Sequence, residues 1–172
     1  MIKITYYDIN MSSEPPIMDK IGYVGPIILF VLNIYHYFYR KIYLFSYLLG
    51  FGFNVIMNKM IKQTIQEPRP DGSQHIQFME RFHGSEIYGM PSGHAQSVLY
   101  SAVFLYDAHT LIFYFSLFIS MVTLFQRYKY KRHTLTQLFV GSFIGAIFAF
   151  IIYNETQKYA KTKTSPPTNS VI

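Results

Sequence analysis

The sequence contains no cysteine and no tryptophan, and only 14% of its 172 residues are charged. Without cysteine the chain can form no disulfide, no thiolate metal site and no cysteine nucleophile. Soluble domains carry roughly 25% charged residues. The low charge, together with 51% hydrophobic residues, therefore excludes a disordered chain and a coiled coil and argues against an ordinary soluble enzyme.

Acidic residues are fewer than basic residues. The chain has nine Asp and Glu and 15 Lys and Arg, so the formal net charge is +6. A positive balance suits nucleic acid, a membrane surface or a phosphorylated substrate as partner. The basic segments are short and lie between long apolar runs, which makes nucleic acid the weakest of the three. We therefore expect membrane lipids and a phosphorylated compound, and no nucleic acid, as partners.

Charged residues are absent from five long stretches of the chain. Each stretch is about 17 to 21 residues long, enough for a helix that crosses a hydrocarbon core of about 30 Å. A soluble helix would show polar residues along one outer face, and these stretches do not. The pattern predicts an all-α integral membrane protein, a bundle of about five transmembrane helices. The stretches are residues 21–39, 42–58, 87–106, 108–126 and 134–154.

The predicted organisation has three parts. Residues 1–20 form an N-terminal segment, residues 21–155 form the transmembrane domain, and residues 156–172 form a polar, disordered tail. Small residues in the helices are expected to let neighbouring backbones approach closely. The glycines expected in such contacts are Gly50, Gly52, Gly141 and Gly145.

Counting the helices places residues 1–20, 59–86 and 127–133 on one face of the membrane. Cations and two histidines gather there, and this set suits a phosphoryl group, which needs fixed positive charge, matched donors, a nucleophile and an acid. Arginine offers planar forks to phosphate, lysine offers a point charge, and Ser92-Gly93 before a helix offers backbone N–H groups. Either histidine could attack or protonate. The residues are Lys62, Arg69, Ser92, Gly93, His94, Arg127 and His133.

Carboxylates are poorly represented beside these cations, since Glu67 and Asp71 neighbour prolines and have no obvious partner. No set of acidic, cysteine or histidine ligands with metal spacing accompanies them, so we expect hydrolysis without a metal or other cofactor. Asn54 and Asn58 precede Lys62 at intervals of four and share its helical face. They are candidates for contact with a substrate lipid, and hydrogen bonding between helices is at least an equal alternative.

Three motifs in this region resemble those of the type 2 phosphatidic acid phosphatase superfamily. The first runs from Lys62 to Arg69-Pro70, the second is the tetrapeptide that ends at His94, and the third runs from Arg127 to His133. Gln126 stands where that superfamily usually has Ser, and Gln137 where it usually has Asp. Glutamine at the latter place, and the Gln-Glu-Pro-Arg-Pro run that ends at Pro70, resemble the dolichyldiphosphatase branch.

The resemblance implies a role for each motif residue. His133 would be the nucleophile that forms a phosphohistidine, and His94 would protonate the leaving oxygen. Gln137, four residues after His133, would orient the His133 ring. No metal is implied. The phosphoryl oxygens would be held by Lys62, Arg69, Ser92, Gly93 and Arg127.

The implied activity is hydrolysis of dolichyl diphosphate to dolichyl phosphate and phosphate, which recycles the lipid carrier of N-glycosylation. The substrate would be an isoprenoid phosphate. The alternatives are a phosphatase of glycerolipid monophosphates such as phosphatidate and a non-catalytic membrane scaffold derived from the family. The sequence does not predict an oligomeric state.

The implied location is the endoplasmic reticulum membrane, with a luminal active site in a multi-pass protein. The motif face also carries most of the Lys and Arg outside the spans, and the positive-inside tendency by itself favours a cytosolic site. Several of those cations are needed for phosphate, so we give more weight to the resemblance and expect a luminal site.

Overall fold

The computed structural model of the protein describes residues 15–74 and 87–164. Within these ranges the secondary structure is helical, apart from an isolated β-bridge between Pro68 and Tyr88. The five helices confirm the predicted all-α membrane bundle. In chain order they are α1 (Ile17–Tyr37), α2 (Lys41–Ile65), α3 (Gly93–Phe104), α4 (Thr110–Lys129) and α5 (Leu135–Thr164).

Four helices, α1, α2, α4 and α5, are long and apolar enough to cross a membrane. The fifth, α3, has 12 residues and rises about 18 Å, which is less than a bilayer core. The stretch of residues 87–106 is therefore not one long span, and its first part, from Pro91 to His94, begins and caps α3, as its sequence indicates. Pro91 cannot donate within a helix, and Ser92 caps the helix start by accepting a hydrogen bond from the Ala95 N–H.

Both ends of the predicted transmembrane domain differ from the structure. Helix α1 begins at Ile17 and includes Asp19, because the carboxylate of Asp19 pairs with Lys129 Nζ at 2.6 Å and so tolerates burial. Helix α5 runs to Thr164, so its last nine residues fall in the segment predicted as a tail. Residues 1–14 and 165–172 lie outside the described residues.

Side-chain contacts define the two ends of the bundle. At one end the Tyr23 ring lies against the His94 ring, and the Ser92 N–H donates to the Gln137 carbonyl. At the other end the Tyr37 hydroxyl donates to Asp107 at 2.6 Å. One face of the bundle therefore holds the N-terminal ends of α1, α3 and α5 and the C-terminal ends of α2 and α4. The motif residues lie at this end, as predicted.

Helix α3 lies at the centre of the bundle and contacts the other four helices. Gly141 and Gly145 of α5 face the backbone of Ser92 and Gln96, so that a Cβ atom at either glycine would collide with α3. Gly50 of α2 similarly faces the Tyr100 hydroxyl. Gly52 is different, because a Cβ atom there meets nothing within 4 Å, and its predicted packing role is wrong.

An aromatic core fills the half of the bundle away from the motif residues. A smaller aliphatic cluster, formed by Leu29, Val98, Ala102 and Ile119, packs between α1, α3 and α4. These apolar contacts hold α3 in place, so the start of α3 becomes a fixed platform for the site. The aromatic core contains Tyr37, Tyr43, Tyr47, Tyr100, Phe104, Leu105, Ala149 and Tyr153.

Candidate active site

The predicted site residues come from four helices and two connecting segments. Lys62 is buried in the last turn of α2, and Arg127 is buried in the last turn of α4. Arg69 follows α2 and reaches the connection before α5, where its Nη1 donates to the Arg132 carbonyl at 3.0 Å. His94 is the second residue of α3, and His133 lies two residues before the start of α5. The fold thus gathers residues that are up to 71 positions apart in sequence.

His133 is buried between two groups that bind its two ring nitrogens. Nδ1 lies 3.2 Å from Oε1 of Gln137, which sits one helical turn later. Nε2 lies 3.4 Å from Nη1 of Arg69. The spacing of four residues that predicted a contact between His133 and Gln137 therefore corresponds to a real contact.

The hydrogen bonds of Gln137 determine the orientation of its amide. Its Nε2 donates to Oε1 of Glu67 at 2.7 Å and to the Pro68 carbonyl at 2.9 Å. The Thr134 N–H donates to Oε1 of Gln137 at 3.3 Å. A carbonyl only accepts and a backbone N–H only donates, so the amide oxygen of Gln137 faces His133.

This orientation also determines the tautomer of His133. An amide oxygen can only accept, so Nδ1 of His133 carries the proton and donates to Gln137. The guanidinium of Arg69 can only donate, so Nε2 of His133 presents its lone pair toward Arg69. Both neighbours require the same tautomer, with the proton on Nδ1 and the lone pair on Nε2.

Burial of the ring lowers the pKa of His133 well below its usual value, and the positive charges of Arg69, Arg127 and Lys62 lower it further. The ring is therefore neutral near pH 7. The same three charges create the positive field that a phosphoryl group requires. The predicted phosphate-binding cations thus act together on the His133 ring.

The start of α3 differs from the prediction in one detail. The backbone N–H of Ser92 donates to the Gln137 carbonyl at 3.1 Å, so it is already bonded within the protein. Gly93 opens the helix and packs beside Oδ1 of Asn58. The first N–H groups of a helix have no acceptor within that helix. In α3 these groups include the backbone N–H groups of Gly93 and His94.

His94 lies against a residue that sequence analysis did not single out, Tyr23 of α1. The two ring centroids are 5.7 Å apart, and the His94 side chain is hydrogen-bonded to the backbone of Tyr23. The guanidinium carbon of Arg127 lies 5.4 Å from the centroid of the same Tyr23 ring. Tyr23 thus supports one histidine and one cation of the site. No motif or spacing in the sequence indicated it.

Asn54 and Asn58 make hydrogen bonds to Gln96, a buried residue that the sequence analysis also missed. Nδ2 of Asn58 donates to Oε1 of Gln96 at 2.7 Å, and Nε2 of Gln96 donates to Oδ1 of Asn54 at 2.9 Å. Asn58 also donates to the Pro91 carbonyl at 3.3 Å. These hydrogen bonds join α2 to α3, as in the alternative to lipid contact that the sequence analysis gave for the two asparagines. They also fix the start of α3.

Glu67 also has a partner that sequence analysis did not find. Its carboxylate accepts from the Gln137 amide, which is 70 positions away in sequence. Among residues 15–74 and 87–164, no three His, Cys, Asp or Glu side chains group closely enough to hold a metal ion. The site is therefore built from cations, two histidines and this one carboxylate.

Comparison with known proteins agrees with this geometry. The family model described as PAP2 superfamily matches residues 42–161, which include every motif residue of the site. The chain belongs to the PAP2 superfamily. The resemblance of the three motifs to type 2 phosphatidic acid phosphatases is thereby confirmed.

Several relatives of this PAP2 chain share one name. Dolichyldiphosphatase 1 of Mus musculus is 30% identical over 164 residues, and that of Homo sapiens is 29% identical over the same length. Each alignment covers 85% of this chain and 63% of the relative. The protein of that name from Dictyostelium discoideum is 28% identical over 134 residues, covering 67% and 53%. The chain thus spans less than two thirds of these relatives' length.

A solved structure shows the same fold. It is the crystal structure of a transmembrane PAP2 type phosphatidylglycerolphosphate phosphatase from Bacillus subtilis, with a TM-score of 0.63 and 20% sequence identity. The match covers 87% of this chain and 77% of that one. At this identity the likeness establishes the helical arrangement of the PAP2 bundle alone.

Proposed function

We propose that the protein is a membrane phosphatase that hydrolyses dolichyl diphosphate to dolichyl phosphate and phosphate through a phosphohistidine on His133. The observation that carries this proposal is the reactive nitrogen of His133. Its lone pair points toward Arg69 in a field set by Arg127 and Lys62. A neutral, oriented imidazole facing several cations suits attack on a phosphoryl group.

In the proposed first step, Nε2 of His133 attacks the terminal phosphorus, and the bond from phosphorus to the bridging oxygen breaks. His94 donates a proton to that oxygen, so dolichyl phosphate leaves. In the second step water attacks the phosphohistidine, His94 accepts the water's proton, and phosphate is released. Arg69, Arg127 and Lys62 bind the non-bridging oxygens through charge-assisted hydrogen bonds.

Two observations favour an isoprenoid diphosphate as the substrate. The relatives that cover most of this chain are named dolichyldiphosphatase 1. Gln137 occupies the position that resembles the same branch, and here it contacts His133. We further propose that the protein resides in the endoplasmic reticulum membrane with its site facing the lumen.

The test uses the purified protein in detergent with dolichyl diphosphate and phosphatidate in parallel. We expect phosphate release from dolichyl diphosphate to have the higher kcat/KM and to persist in EDTA. A higher kcat/KM for phosphatidate would identify a lipid monophosphate phosphatase. Loss of activity in EDTA that a divalent ion restores would contradict the metal-independent mechanism.

Variants of the two histidines test the covalent step. His133→Ala should abolish both turnover and the acid-labile phosphoenzyme, because no nucleophile remains. His94→Ala should slow release of the leaving group while substrate still binds. His109→Ala is the matched control, since His109 is exposed at the start of α4, at the opposite end of the bundle. A phosphoenzyme formed by His133→Ala would disprove the assignment.

A further inference from the structure

The carboxylate of Glu67 is held against the Gln137 amide by the backbone around it. The Glu67 carbonyl accepts from the Gly89 N–H at 2.7 Å, and the next residue, Pro68, forms the β-bridge with Tyr88. Gly89 itself lies over the amide, because a Cβ atom there would come 2.5 Å from Oε1 of Gln137. Only glycine lets this segment pack so closely. The hydrogen bond between Glu67 and Gln137 is therefore partly shielded from water.

Attack by His133 requires both an oriented ring and stabilisation of the positive charge that the ring gains, and a neutral amide supplies only the first. When Nε2 bonds to phosphorus, the imidazole ring gains positive charge while Nδ1 keeps its proton. The oxygen of Gln137 can orient that ring, but it carries no full charge to stabilise it. The PAP2 resemblance places Asp where this chain has Gln137. A carboxylate therefore stands one hydrogen bond further from the ring here.

We propose that Glu67 is a positioning residue for His133, acting through Gln137, an inference that rests on the proposed attack by His133. Its carboxylate accepts a hydrogen bond from one N–H of the Gln137 amide and so keeps the amide oxygen turned toward Nδ1 of His133. It also polarises the amide, so that the oxygen becomes a stronger acceptor for the ring proton. No proton moves along this chain of hydrogen bonds.

The first test is Glu67→Gln, which keeps the size of the side chain and an oxygen acceptor but removes the charge. We expect kcat to fall about tenfold or more, with KM changed less than about twofold, because the charge acts on the chemical step. The matched control is Glu155→Gln, since Glu155 is exposed on α5 and pairs with Lys158 within its own helix. That control should keep the wild-type kcat.

The second test exchanges the two groups by combining Glu67→Gln with Gln137→Glu. The negative charge then lies directly beside Nδ1 of His133, and the amide lies behind it. We expect the double variant to recover most of the kcat that Glu67→Gln loses. A purely structural role for Glu67 gives no such recovery, because the exchange restores the charge and not the original packing.

The measurements use farnesyl diphosphate, a short isoprenoid diphosphate, in detergent, with kcat normalised to protein that elutes as a folded, monodisperse species. A wild-type kcat in Glu67→Gln would overturn the proposal, and so would a double variant no more active than Glu67→Gln. Failure of the proposed function gives a different result from failure of the Glu67 proposal, because the wild-type protein itself then forms no phosphoenzyme on His133.

Discussion

Nδ1 of His133 lies 3.2 Å from the amide oxygen of Gln137, and this contact leaves the ring's lone pair on Nε2, which faces Nη1 of Arg69. In the serine triad, replacing the carboxylate partner of a histidine by an amide costs about 10⁴ in rate through the wrong tautomer. Here the amide oxygen is turned toward the ring by Glu67, Pro68 and Thr134. The protein thus obtains the correct tautomer from an amide.

Removing this partner should slow the chemistry and leave binding intact. Gln137→Ala is expected to lower kcat about 10- to 100-fold with little change in KM, because orientation of the ring acts on the transition state. The measurement is steady-state phosphate release. Gln74→Ala, an exposed change on the same face of the bundle, is the control. An unchanged kcat in Gln137→Ala would mean that another acceptor holds His133.

Stability of the unliganded protein should depend on pH through His133. Because burial and nearby cations lower the folded-state pKa of this ring, the unfolded chain binds a proton below about pH 6.5 that the folded protein does not. Stability is therefore lost as the pH falls below the unfolded pKa. Between pH 7.5 and pH 5 the loss from this group is about 2 kcal/mol.

The comparison of wild type with His133→Gln isolates this contribution. Thermal unfolding in detergent should show a smaller decrease in melting temperature for His133→Gln than for wild type when the pH is lowered to 5. The exposed His109, changed to Gln, should leave the wild-type dependence intact. An equal decrease in wild type and His133→Gln would contradict the lowered pKa of His133.

Contacts between α3 and α5 predict which glycine substitutions are tolerated. A Cβ atom at Gly145 would collide with the backbone of Gln96, so Gly145→Ala must push the two helices apart. Overpacking of this kind costs about 1 to 3 kcal/mol. Gly52→Ala adds its methyl group in open space and should leave the melting temperature unchanged or raised. Equal melting temperatures for the two variants would contradict the backbone contact.

Topology can be tested directly because the chain contains no cysteine. Tyr39→Cys places a thiol in the exposed turn between α1 and α2, and Gln74→Cys places one on the motif face. With sealed endoplasmic reticulum vesicles and a membrane-impermeant maleimide, we expect Tyr39→Cys to react at once. Gln74→Cys should react only after permeabilisation. The reverse pattern would place the site in the cytosol.

Patterns that depend on local spacing predicted the structure well. Absent charges indicated the helices, and intervals of four residues put Asn54, Asn58 and Lys62 on one buried face. The same interval brought Gln137 to His133. These features follow from the geometry of a single helix, so the local spacing of residues is enough to predict them.

Features that depend on distant partners escaped prediction. The prediction ends the N-terminal segment at residue 20, yet Asp19 lies within α1, where Lys129, 110 residues away, pairs with its carboxylate. The partner of Glu67 is 70 residues away in α5. Gly50 and Gly52 are alike in sequence, and the positions of Tyr100 and Ile152 distinguish them. Such relationships arise from packing between helices, which periodicity does not encode.

Helix α3 is bonded at both ends to the helices before it. Its start is tied through Gln96 to Asn58, and its last carbonyl, at Phe104, shares the hydroxyl proton of Tyr37 with Asp107. Three residues beyond, Asp107 closes an ion pair with Arg40. The helix is therefore anchored at both faces of the bundle. Any displacement of its first turn, which begins at Gly93, would require contacts with α1 or α2 to break.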